Sequence, residues 1–402
     1  MKLLMATHYF DSHRGGIEIV AGRLAREFTS RGVAMTWLAS DATPPPDATA
    51  GHGRCVAIPA WNIAERRLGF PLPLPGPRGL ITIAREVRDS DAVILHDSLY
   101  PTNVAARLAA WWCRRPVVII QHIGAVPYTN PVLRVLMATA NAMITRPMLA
   151  SAHQVAFISE ITRRHFTTVR FASPPRLVFN GVDTQMYAPP GPGFDRASVR
   201  ARLGLSTDQP VALFVGRFVE KKGLHLIERI ARQRPGITFA LAGWGPIDPS
   251  DWGLANVRVL SGLSGASLAD AYRASDIFVL PSTGEGLPLV MQEALASGLP
   301  VVCGAETATA DPEAARYVDG VTIDPADHDA TAAAFAAEID QHVDTLAVGI
   351  TAAERHAFVR DRYSWSRAAG AYLDILNGLL NGLVHDVAST QSAAAIEEAP
   401  RP

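Results

Sequence analysis

The sequence predicts an α/β protein built from two doubly wound, Rossmann-like domains in tandem. Short β-branched runs alternate with stretches of helical periodicity along nearly all of its 402 residues. The runs are almost continuously apolar, which is typical of parallel strands whose sheet is covered by helices on both faces. They fall into two sets of about 180 residues, and each set is long enough for one domain of this class.

The strands and helices are predicted from these runs in chain order. The strands of the first set are Lys2–Thr7, Val33–Ala39, Cys55–Pro59, Ala92–His96, Val117–Gln121, Val155–Ser159 and Arg176–Phe179. The strands of the second set are Val211–Val215, Thr238–Ala242, Val257–Leu260, Asp276–Leu280, Pro300–Cys303 and Val321–Ile323. Helical periodicity is clearest in Gly16–Ser30, Leu80–Arg88 and Pro131–Ala150. Strands separated by helices in this way pair in parallel.

The boundary between the domains is predicted near Asn180–Asp183, because a Pro/Gly-rich stretch that suits a linker follows at Pro189–Gly193. The first domain therefore spans residues 1–182, and the second spans residues 183–365. The last residues, 387–402, combine Ala, Ser, Glu and Pro without periodicity. They are predicted to form a disordered tail.

The composition excludes several classes of protein. Hydrophobic residues make up 48% and charged residues 19%, which excludes disorder as the main state. The 37 Lys and Arg against 38 Asp and Glu leave a formal charge of −1, whereas a general nucleic-acid binder would carry a basic excess. Three widely spaced cysteines without a C-x-x-C pair fit a reducing compartment and exclude both a disulfide scaffold and a cysteine zinc site.

No stretch has the pattern of a signal peptide or a membrane span. The opening residues turn polar too soon to hold the apolar core of a signal peptide. The most membrane-like stretch, Val132–Ala150, is interrupted by Arg134, Asn141 and Arg146, whereas a span needs about 20 apolar residues. We therefore expect a soluble, cytoplasmic protein that is at most peripheral to a membrane.

Three glycine-containing turns follow predicted strands, where the ligands of open α/β sheets bind. Gly15 and Gly16 precede a helix whose first amides could meet a phosphate, although a tight turn without a ligand fits equally well. Gly243 and Gly245 form a second turn. Neither turn completes the G-x-G-x-x-G fingerprint, which argues against a dinucleotide site and against a dehydrogenase.

The third turn, Gly216–Gly223, carries two cations at the carboxyl end of a strand. Arg217 offers a planar fork of donors and Lys222 offers a point charge, so together they could neutralise a diphosphate. The alternative is an exposed charged turn, which describes most Lys/Glu clusters.

Glu285 and Glu293 form a Glu-x7-Glu pair. The spacing alone is weak evidence, because Glu220 and Glu228 repeat it and chance accounts for such a pair. The setting distinguishes the two pairs. Glu285 lies in a loop that leads from a strand into a helix, whereas the other pair has the pattern of a solvated surface.

The helix after this loop has the features of an anion site. Pro288 suits the first helical turn, where its missing N–H costs nothing. The amides of Leu289 and Val290 would then be free to meet an anion. Glu293 lies about 1.5 turns further along and could face the same cleft.

His122 is the best placed of the 12 histidines, because it follows a predicted strand and precedes a glycine. His96, at the end of another strand and followed by Asp97, is the next candidate. Both also fit structural roles. Two D-x-D triplets are candidate metal ligands. The triplet at residues 89–91 lies before a predicted strand, and the triplet at residues 327–329 opens a helix, where capping and dipole effects explain the carboxylates. No metal site is therefore predicted.

Taken together, these motifs resemble the retaining GT-B glycosyltransferases of family GT4, the group 1 glycosyl transferases. The motifs in family order are Gly15-Gly16-Ile17-Glu18, Asn180-Gly181-Val182-Asp183, Val215-Gly216-Arg217 with Lys222-Gly223, Ala242-Gly243-Trp244-Gly245-Pro246, Ala274-Ser275-Asp276, Glu285-Gly286-Leu287-Pro288 with Glu293-Ala294, and Tyr363-Ser364-Trp365. Each motif is degenerate alone, but five or six in the family order are specific, and they cover nearly the whole chain.

The resemblance implies a nucleoside diphosphate sugar bound mostly by the C-terminal domain, with no metal and no other cofactor. It implies that Arg217 and Lys222 hold the diphosphate, that Glu285 binds sugar hydroxyls and that Glu293 binds the ribose. The catalytic residues implied are His122, Arg217, Lys222 and Glu285. The donor-binding residues implied are Gly15, Gly16, Gly216, Arg217, Lys222, Leu263, Glu285, Gly286, Leu287, Pro288, Leu289, Val290 and Glu293. A final helix over residues 366–386 should complete the first domain.

The sequence departs from the commonest family pattern at one place. Many members carry an aromatic residue and a glycine where this chain has Leu287 and Pro288, so the donor sugar stays open. The acceptor implied is a saccharide or a lipid-linked saccharide, in bacterial surface polysaccharide or glycolipid assembly. Two alternatives remain: a nucleotide-sugar epimerase of the same architecture, and a sugar-nucleotide-binding scaffold without catalysis.

One surface of the first domain is a candidate membrane contact. The stretch Trp111–Arg115 and the segment from Arg134 to Arg146 combine aromatic, apolar and basic residues, as interfacial surfaces do. The alternative is buried tryptophans beside an ordinary charged surface. We expect no nucleic-acid partner.

Overall fold

The chain folds into two compact units in a computed structural model, which describes residues 1–13, 15–62, 73–124, 131–344 and 350–397. The first unit contains Met1–Ile158, His165–Val178 and the chain from Trp365 onward. The second unit contains Ser159–Arg164 and Phe179–Ser364. Each unit is an α/β fold with a parallel sheet, so the predicted fold class is confirmed.

Strands and helices alternate from Lys2 to Leu177, as predicted. The strands are β1 (Lys2–Ala6), β2 (Ala34–Ser40), β3 (Arg54–Ile58), β4 (Ala60–Trp61), β5 (Leu74–Pro75), β6 (Ala92–His96), β7 (Val117–Gln121), β8 (Gln154–Phe157) and β9 (Arg176–Leu177). The helices are α1 (Gly16–Ser30), α2 (Pro77–Arg88), α3 (Pro101–Trp112), α4 (Pro131–Ala140), α5 (Arg146–Ser151) and α6 (Glu160–His165). A π-helical segment, Asn141–Thr145, joins α4 to α5.

Seven strands of the first unit form a parallel sheet in the order β3-β2-β1-β6-β7-β8-β9. The strand order reverses between β1 and β6, and doubly wound sheets bind ligands at the carboxyl ends of the strands at such a switch point. Helices α2, α3 and α5 cover one face of this sheet, since Val87, Ala106 and Leu149 belong to the same buried core. β4 and β5 form a separate antiparallel pair.

The second unit continues with a further set of strands and helices. Its strands are β10 (Val211–Arg217), β11 (Thr238–Trp244), β12 (Val257–Leu260), β13 (Ile277–Leu280), β14 (Val301–Gly304) and β15 (Val318–Val321). Its helices are α7 (Arg196–Arg202), α8 (Leu224–Gln233), α9 (Ala266–Ala274), α10 (Leu289–Ala296), α11 (Ala305–Ala308), α12 (His328–Asp344) and α13 (Ala352–Arg362). The last helix, α14 (Trp365–Glu397), belongs to the first unit.

The second sheet is also parallel, in the order β12-β11-β10-β13-β14-β15. This is the dinucleotide-fold order 3-2-1-4-5-6, with its switch point between β10 and β13. The central strands are mainly apolar because helices cover both faces of the sheet, and Leu213, Phe278 and Val302 are fully buried.

Two strands of the second sheet extend further than the sequence predicts. β10 reaches Arg217 and β11 reaches Trp244, and at these ends Gly216 pairs with Gly243. A Cβ atom on Gly243 would lie 1.9 Å from the carbonyl oxygen of Gly216, so glycine is required for the two strands to approach this closely. Gly216 and Arg217 are therefore part of a strand, not of a loop.

Further differences concern which segment belongs to which unit. Ser159–Arg164 lies in the second unit, where the amide of Glu160 donates to the carbonyl oxygen of Ala310 over 2.8 Å. The assignment of Ser159–Arg164 to the second unit differs from the predicted domain limits of 1–182 and 183–365. The start of the main segment of that unit at Phe179 differs from them too. Both depend on contacts distant in sequence.

The last strand and the last helix also differ from the predicted ones. β15 lies at Val318–Val321 instead of Val321–Ile323, because main-chain pairing with β14 includes the polar Asp319 and Gly320. Helix α14 continues to Glu397, whereas residues 387–402 were predicted to form a disordered tail, and several alanines in this stretch favour helix. Residues 398–402 of the predicted tail lie outside the described residues. None of the described helices is long and apolar enough to cross a membrane.

Candidate active site

The switch point of the second sheet brings together two of the predicted charged residues. Lys222 follows β10 in a short 3₁₀ turn, and Glu285 follows β13. The Nζ atom of Lys222 lies 3.0 Å from Oε1 of Glu285, and that of Lys221 lies 3.6 Å from the same oxygen. The Lys222 and Glu285 side chains are only 16% and 13% exposed, so this ion pair is partly desolvated.

Gly223 explains why the two loops approach each other. Its φ of 73° is left-handed, and a Cβ atom there would lie 2.1 Å from the carbonyl oxygen of Pro281. The amide of Thr283 also donates to the carbonyl oxygen of Lys221 over 3.1 Å. The loop after β10 is therefore fixed against the loop after β13, which sets Lys222 beside Glu285.

Arg217 has a different partner from Lys222. Its guanidinium carbon lies 5.1 Å from the centre of the Trp244 ring, a cation–π distance, and both side chains are exposed. The sequence predicted that the two cations act on one diphosphate. In the structure, one cation stacks on an indole at the paired ends of β10 and β11, and the other binds a carboxylate.

Helix α10 begins at Leu289, with Pro288 at its N-cap in an extended conformation. The amides of Leu289 and Val290 lie in the first turn, where a helix offers no internal acceptor. The Oε2 atom of Glu293 lies 3.0 Å from the hydroxyl of Tyr272, which also lies 3.2 Å from the carbonyl oxygen of Val290. Burial raises the pKa of Tyr272 well above its usual value, so this hydroxyl stays a donor.

Tyr272 was not among the predicted residues. It lies on α9 and is fully buried, so the sequence offered only an aromatic residue at helical spacing. The side chain of Leu287 is also buried, at 3% exposure, and packs in the core. Leu263 packs against that same core from the loop after β12. Gly286 lies between Glu285 and the buried Leu287.

In the first unit, Gly15 caps α1 and Gly16 begins it. A Cβ atom on Gly15 would lie 2.1 Å from Oε2 of Glu18, so this carboxylate occupies the space above the helix start. Among the described residues, nothing lies within 4 Å of a Cβ built on Gly16. Burial raises the pKa of Glu18 to about 7.

His122 and His96 form a buried pair at the ends of β7 and β6. The Nδ1 atom of His96 lies 3.0 Å from Nε2 of His122. Burial lowers the pKa of His122 to about 3 and that of His96 well below its usual value. Both imidazoles are therefore neutral at pH 7, and one donates to the other.

Asp97 holds the segment that carries His122. Its Oδ1 atom accepts from the amides of His122 and Ile123 over 3.1 and 3.2 Å. The residue has a left-handed φ of 65°, and Nδ2 of Asn103 donates to its carbonyl oxygen over 2.8 Å. Burial, with a smaller effect of the charge on Glu18, raises the pKa of Asp97 to about 7. The sequence named Asp97 only as the neighbour of His96.

The D-x-D triplets have structural partners. Oδ2 of Asp91 accepts from the amide of Lys2 over 2.7 Å, and Oδ1 of Asp327 accepts from the amide of Ala330 at the start of α12. Asp89 pairs with Arg88, and Asp329 pairs with Arg229. Each of the four carboxylates therefore has a partner within the protein.

A different cluster lies at the edge strand of the second sheet. Asp319, Glu338 and His342 place three possible ligand atoms within 4.8 Å of one another, and His342 lies 2.8 Å from Asp319. The sequence did not single out these residues. In strand order, β15 is separated from the switch point by β14 and β13.

Comparison with known proteins adds to this geometry. The model of the family "Glycosyl transferases group 1" matches residues 209–341, and that of "Glycosyltransferase Family 4" matches residues 14–186. The chain belongs to the family 4, group 1 glycosyltransferases. The family named from the motifs is thus confirmed, and the chain is a glycosyltransferase.

Two curated relatives resemble this glycosyltransferase over most of their length. A GDP-mannose-dependent α-(1-6)-phosphatidylinositol monomannoside mannosyltransferase from Mycolicibacterium smegmatis is 27% identical, over 94% of this chain and 98% of the relative. An α-maltose-1-phosphate synthase from Mycobacterium tuberculosis is 28% identical, over 71% of this chain and 79% of the relative.

Solved structures show the same fold. Sucrose-phosphate synthase from Thermosynechococcus elongatus has a TM-score of 0.69 at 19% identity, covering 95% of this chain and 100% of its own. Anabaena Alr3699/HepE in complex with UDP has a TM-score of 0.70 at 18% identity, covering 94% of this chain and 100% of its own. The GT-B fold predicted for this glycosyltransferase is therefore confirmed.

Proposed function

We propose that this glycosyltransferase moves a sugar from a nucleoside diphosphate sugar to an acceptor hydroxyl, with retention of the anomeric configuration and without a metal ion. The observation that carries the proposal is the pair formed by Lys222 and Glu285 at the switch point of the second sheet. One member offers a cation to a phosphate, and the other offers a carboxylate to sugar hydroxyls.

The donor site is assembled around this pair. Lys222 and the first amides of α10, at Leu289 and Val290, stabilise the leaving diphosphate. Glu285 accepts hydrogen bonds from the sugar, and Glu293 accepts them from the ribose while Tyr272 keeps it oriented. The names of relatives support a nucleotide-sugar donor, since one is GDP-mannose-dependent and Anabaena HepE was solved with UDP-glucose.

The remaining predicted residues keep the roles that the family resemblance implies. Within the first unit, Gly15 and Gly16 offer backbone groups to a phosphate, and His122 offers a neutral imidazole to a sugar. Arg217 binds the outer phosphate oxygens, and Gly216 leaves space beside them. Leu263, Gly286 and Pro288 shape the walls of the donor site, where Leu287, whose side chain lies in the core, offers only its backbone.

Retention is proposed because the motifs resemble those of retaining glycosyltransferases. In such a transfer the bond to the diphosphate breaks with little help from a protein nucleophile, so the protein stabilises charge on the leaving group. Metal independence is proposed because Lys222 supplies positive charge where the diphosphate would lie. EDTA-treated enzyme should therefore keep its activity, with no gain from added magnesium or manganese. Loss of activity that either ion restores would contradict metal independence while leaving the donor site in place.

The acceptor proposed is a saccharide or lipid-linked saccharide used in bacterial cell-surface polysaccharide or glycolipid assembly. The name of the Mycolicibacterium relative, a phosphatidylinositol monomannoside mannosyltransferase, supports an acceptor of this class. The place of action proposed is the cytoplasm, at the inner face of the plasma membrane, through a peripheral contact.

The test is a thermal-shift panel of UDP- and GDP-sugars on the full chain and on Lys222→Ala. A ligand at 100 times its Kd should raise the free energy of unfolding by about 2.7 kcal/mol, and the variant should lose most of this gain. Anomeric analysis of the product then tests retention. Turnover of the donor without any acceptor would indicate an epimerase, and binding without turnover would indicate a scaffold.

A further inference from the structure

Three side chains that can bind a metal ion meet at the edge strand of the second sheet. Asp319 lies on β15, and Glu338 and His342 lie on α12. One ligand atom from each side chain lies within 4.8 Å of the other two. In the strand order, β13 and β14 lie between β15 and the switch point beside β10. The cluster therefore lies outside the candidate donor site, and the proposed transfer does not use it.

Strand β15 places Asp319 on the side of the sheet that α12 covers. A Cβ atom on the next residue, Gly320, would lie 2.9 Å from Cβ of Ala308 on α11. Successive residues of a strand face opposite sides of the sheet, so Asp319 faces away from α11. It faces α12 instead, since Nε2 of His342 lies 2.8 Å from Oδ2 of Asp319.

Helix α12 places Glu338 and His342 together. They are four residues apart, so their side chains lie one above the other on the same face of the helix. Phe335 and Ile339, each three residues before one of them, are fully buried in the core. The two polar side chains therefore lie at the border of the buried face of the helix, where both residues are half-buried beside the edge strand.

The negative charge of this cluster is incompletely compensated. The carboxylate of Glu338 forms no hydrogen bond or ion pair with any residue that the structure describes. Asp319 has His342 as a partner, and it also interacts electrostatically with Arg355 of α13. Two carboxylates this close repel each other, and partial burial strengthens the repulsion. A bound divalent cation would remove this cost.

The set of ligand atoms favours one kind of ion. One imidazole nitrogen and two carboxylate oxygens suit Zn²⁺, whereas Mg²⁺ and Ca²⁺ prefer oxygen atoms alone. The ligand atoms of a tetrahedral zinc ion lie about 3.4 Å apart, because each bond is about 2.1 Å long. Small side-chain rotations bring separations of up to 4.8 Å to that value. The hydrogen bond between His342 and Asp319 already holds two ligands together, and the ion would take the place of its proton.

We propose that Asp319, Glu338 and His342 bind one Zn²⁺ ion, which joins the edge strand β15 to α12. Water would fill the fourth position of the ion. The role of the ion is structural, because it links a strand that has a neighbour on one side only to the helix that covers it. Zinc should therefore stabilise the second unit and leave sugar transfer unchanged. Zinc binding requires neither a donor nor an acceptor, so failure of this inference and failure of the proposed function are separate outcomes.

The experiment measures zinc binding and thermal unfolding of the full chain after treatment with EDTA and removal of the chelator. We expect calorimetric titration to show one Zn²⁺ ion bound per chain. At about 100 times its Kd, Zn²⁺ should raise the melting temperature by about 5–10 °C, whereas Mg²⁺ and Ca²⁺ at the same concentration should not. Asp319→Asn, Glu338→Gln and His342→Ala should each weaken zinc binding by roughly tenfold or more, because each removes the charge or the donor atom of one ligand.

The matched control is His328→Ala on the same helix, which should bind Zn²⁺ like the wild type. The ring centres of His328 and His225 lie 4.5 Å apart, so this variant tests whether another close pair of histidines binds the ion. Glu338→Gln alters a side chain without a described partner and should melt like the wild type in the absence of zinc. Absence of zinc binding by the wild type would overturn the inference. So would equal binding by Glu338→Gln and His342→Ala, loss of binding in His328→Ala, or equal stabilisation by Mg²⁺.

Discussion

Lys222 and Glu285 neutralise each other across 3.0 Å at the switch point of the second sheet. Because both side chains are largely buried, separating them without a replacement partner would leave an unpaired charge. In the proposed reaction, a diphosphate replaces Glu285 as the partner of the ammonium group, and the carboxylate turns to the sugar hydroxyls. The ion pair thus keeps both groups in position before the donor arrives.

Replacing Lys222 by alanine tests this arrangement. We expect Lys222→Ala to lower kcat by roughly 10²–10³, the effect of removing one preorganised group that stabilises developing charge. The donor KM should change less. The matched control is Glu220→Gln, an exposed residue of the same 3₁₀ turn, which should cost less than tenfold. The measurement is steady-state kinetics of both variants. A near-wild-type kcat for Lys222→Ala would refute the proposed role of Lys222.

Tyr272→Phe isolates the hydroxyl that orients Glu293. We expect the donor KM to rise roughly tenfold, the cost of one lost hydrogen bond to a charged group. kcat should change little, since binding to the ribose is equal in the ground and transition states. Tyr317→Phe, which also removes a hydroxyl contact in the second unit, is the control and should leave both constants unchanged. An unchanged KM for Tyr272→Phe would show that Glu293 does not depend on Tyr272.

Asp97 predicts a pH dependence of stability. Its pKa is raised to about 7 in the folded state from an ordinary value near 4, so the folded state binds the proton more tightly. The wild-type free energy of unfolding should therefore fall as the pH rises from about 4 to about 7. Asp97→Asn keeps the acceptor for the two amides and cannot ionise.

The Asp97→Asn variant should gain stability relative to the wild type across that same pH range. Thermal unfolding of both proteins at pH 5 and pH 8 is the measurement. Because Glu18 has a similarly raised pKa and interacts with Asp97, the change belongs to the pair and will be spread over the range. A stability difference that is equal at both pH values would exclude a raised pKa.

At the level of elements, the sequence predicted the strands whose apolar runs are continuous. Ala92–His96, Val117–Gln121 and Val257–Leu260 have the predicted bounds. The ends of β10 and β11 were missed because their pairing depends on glycines in different strands, and local periodicity contains no information on such contacts. The hairpin of β4 and β5 was missed because each strand is only two residues long.

Among the residues of the candidate site, too, some could be predicted from the local sequence and others depend on contacts between distant residues. Lys222 and Glu285 could be proposed because both follow strands at a predictable edge of the sheet. Tyr272 could not, because it reaches Glu293 from a helix that has no motif of its own. Asp97 could be placed after a strand, but its left-handed backbone and its two amide partners depend on packing.

Gly243 offers a test of the paired ends of β10 and β11. Alanine there would place Cβ 1.9 Å from the carbonyl oxygen of Gly216, so the strands would have to separate. We expect Gly243→Ala to lose about 4–5 kcal/mol of stability, the upper range for point substitutions. Gly236→Ala is the control, since no described atom lies within 4 Å of its Cβ, and it should change stability by less than about 0.5 kcal/mol. Equal melting temperatures for the two variants would contradict this account.

At the level of the whole molecule, the two sheets share the order of their first six strands but differ in charge at their switch points. In the first unit, burial raises the pKa of Asp97 to about 7 and keeps His122 neutral at pH 7. In the second unit, Lys222 and Glu285 are paired as ions. With the proposed function, we therefore expect the charged diphosphate at the second switch point and neutral hydroxyl groups at the first.

Hydrogen exchange with and without UDP tests this division of roles. We expect UDP to slow amide exchange in residues 218–224 and 281–293 of the second unit, because these segments would hold the diphosphate and the ribose. Helix α13, in the same unit, should be unaffected and serves as the internal control. Protection restricted to the first unit would place the nucleotide site elsewhere.

The return of α14 to the first unit has a consequence for synthesis on the ribosome. Every segment of the second unit precedes Trp365 in the chain, so that unit needs nothing from α14 in order to fold. The first unit begins earlier in the sequence, yet it lacks Ala369, Tyr372 and Leu376, which are buried when α14 is in place. The part of the chain that is translated first is therefore completed last.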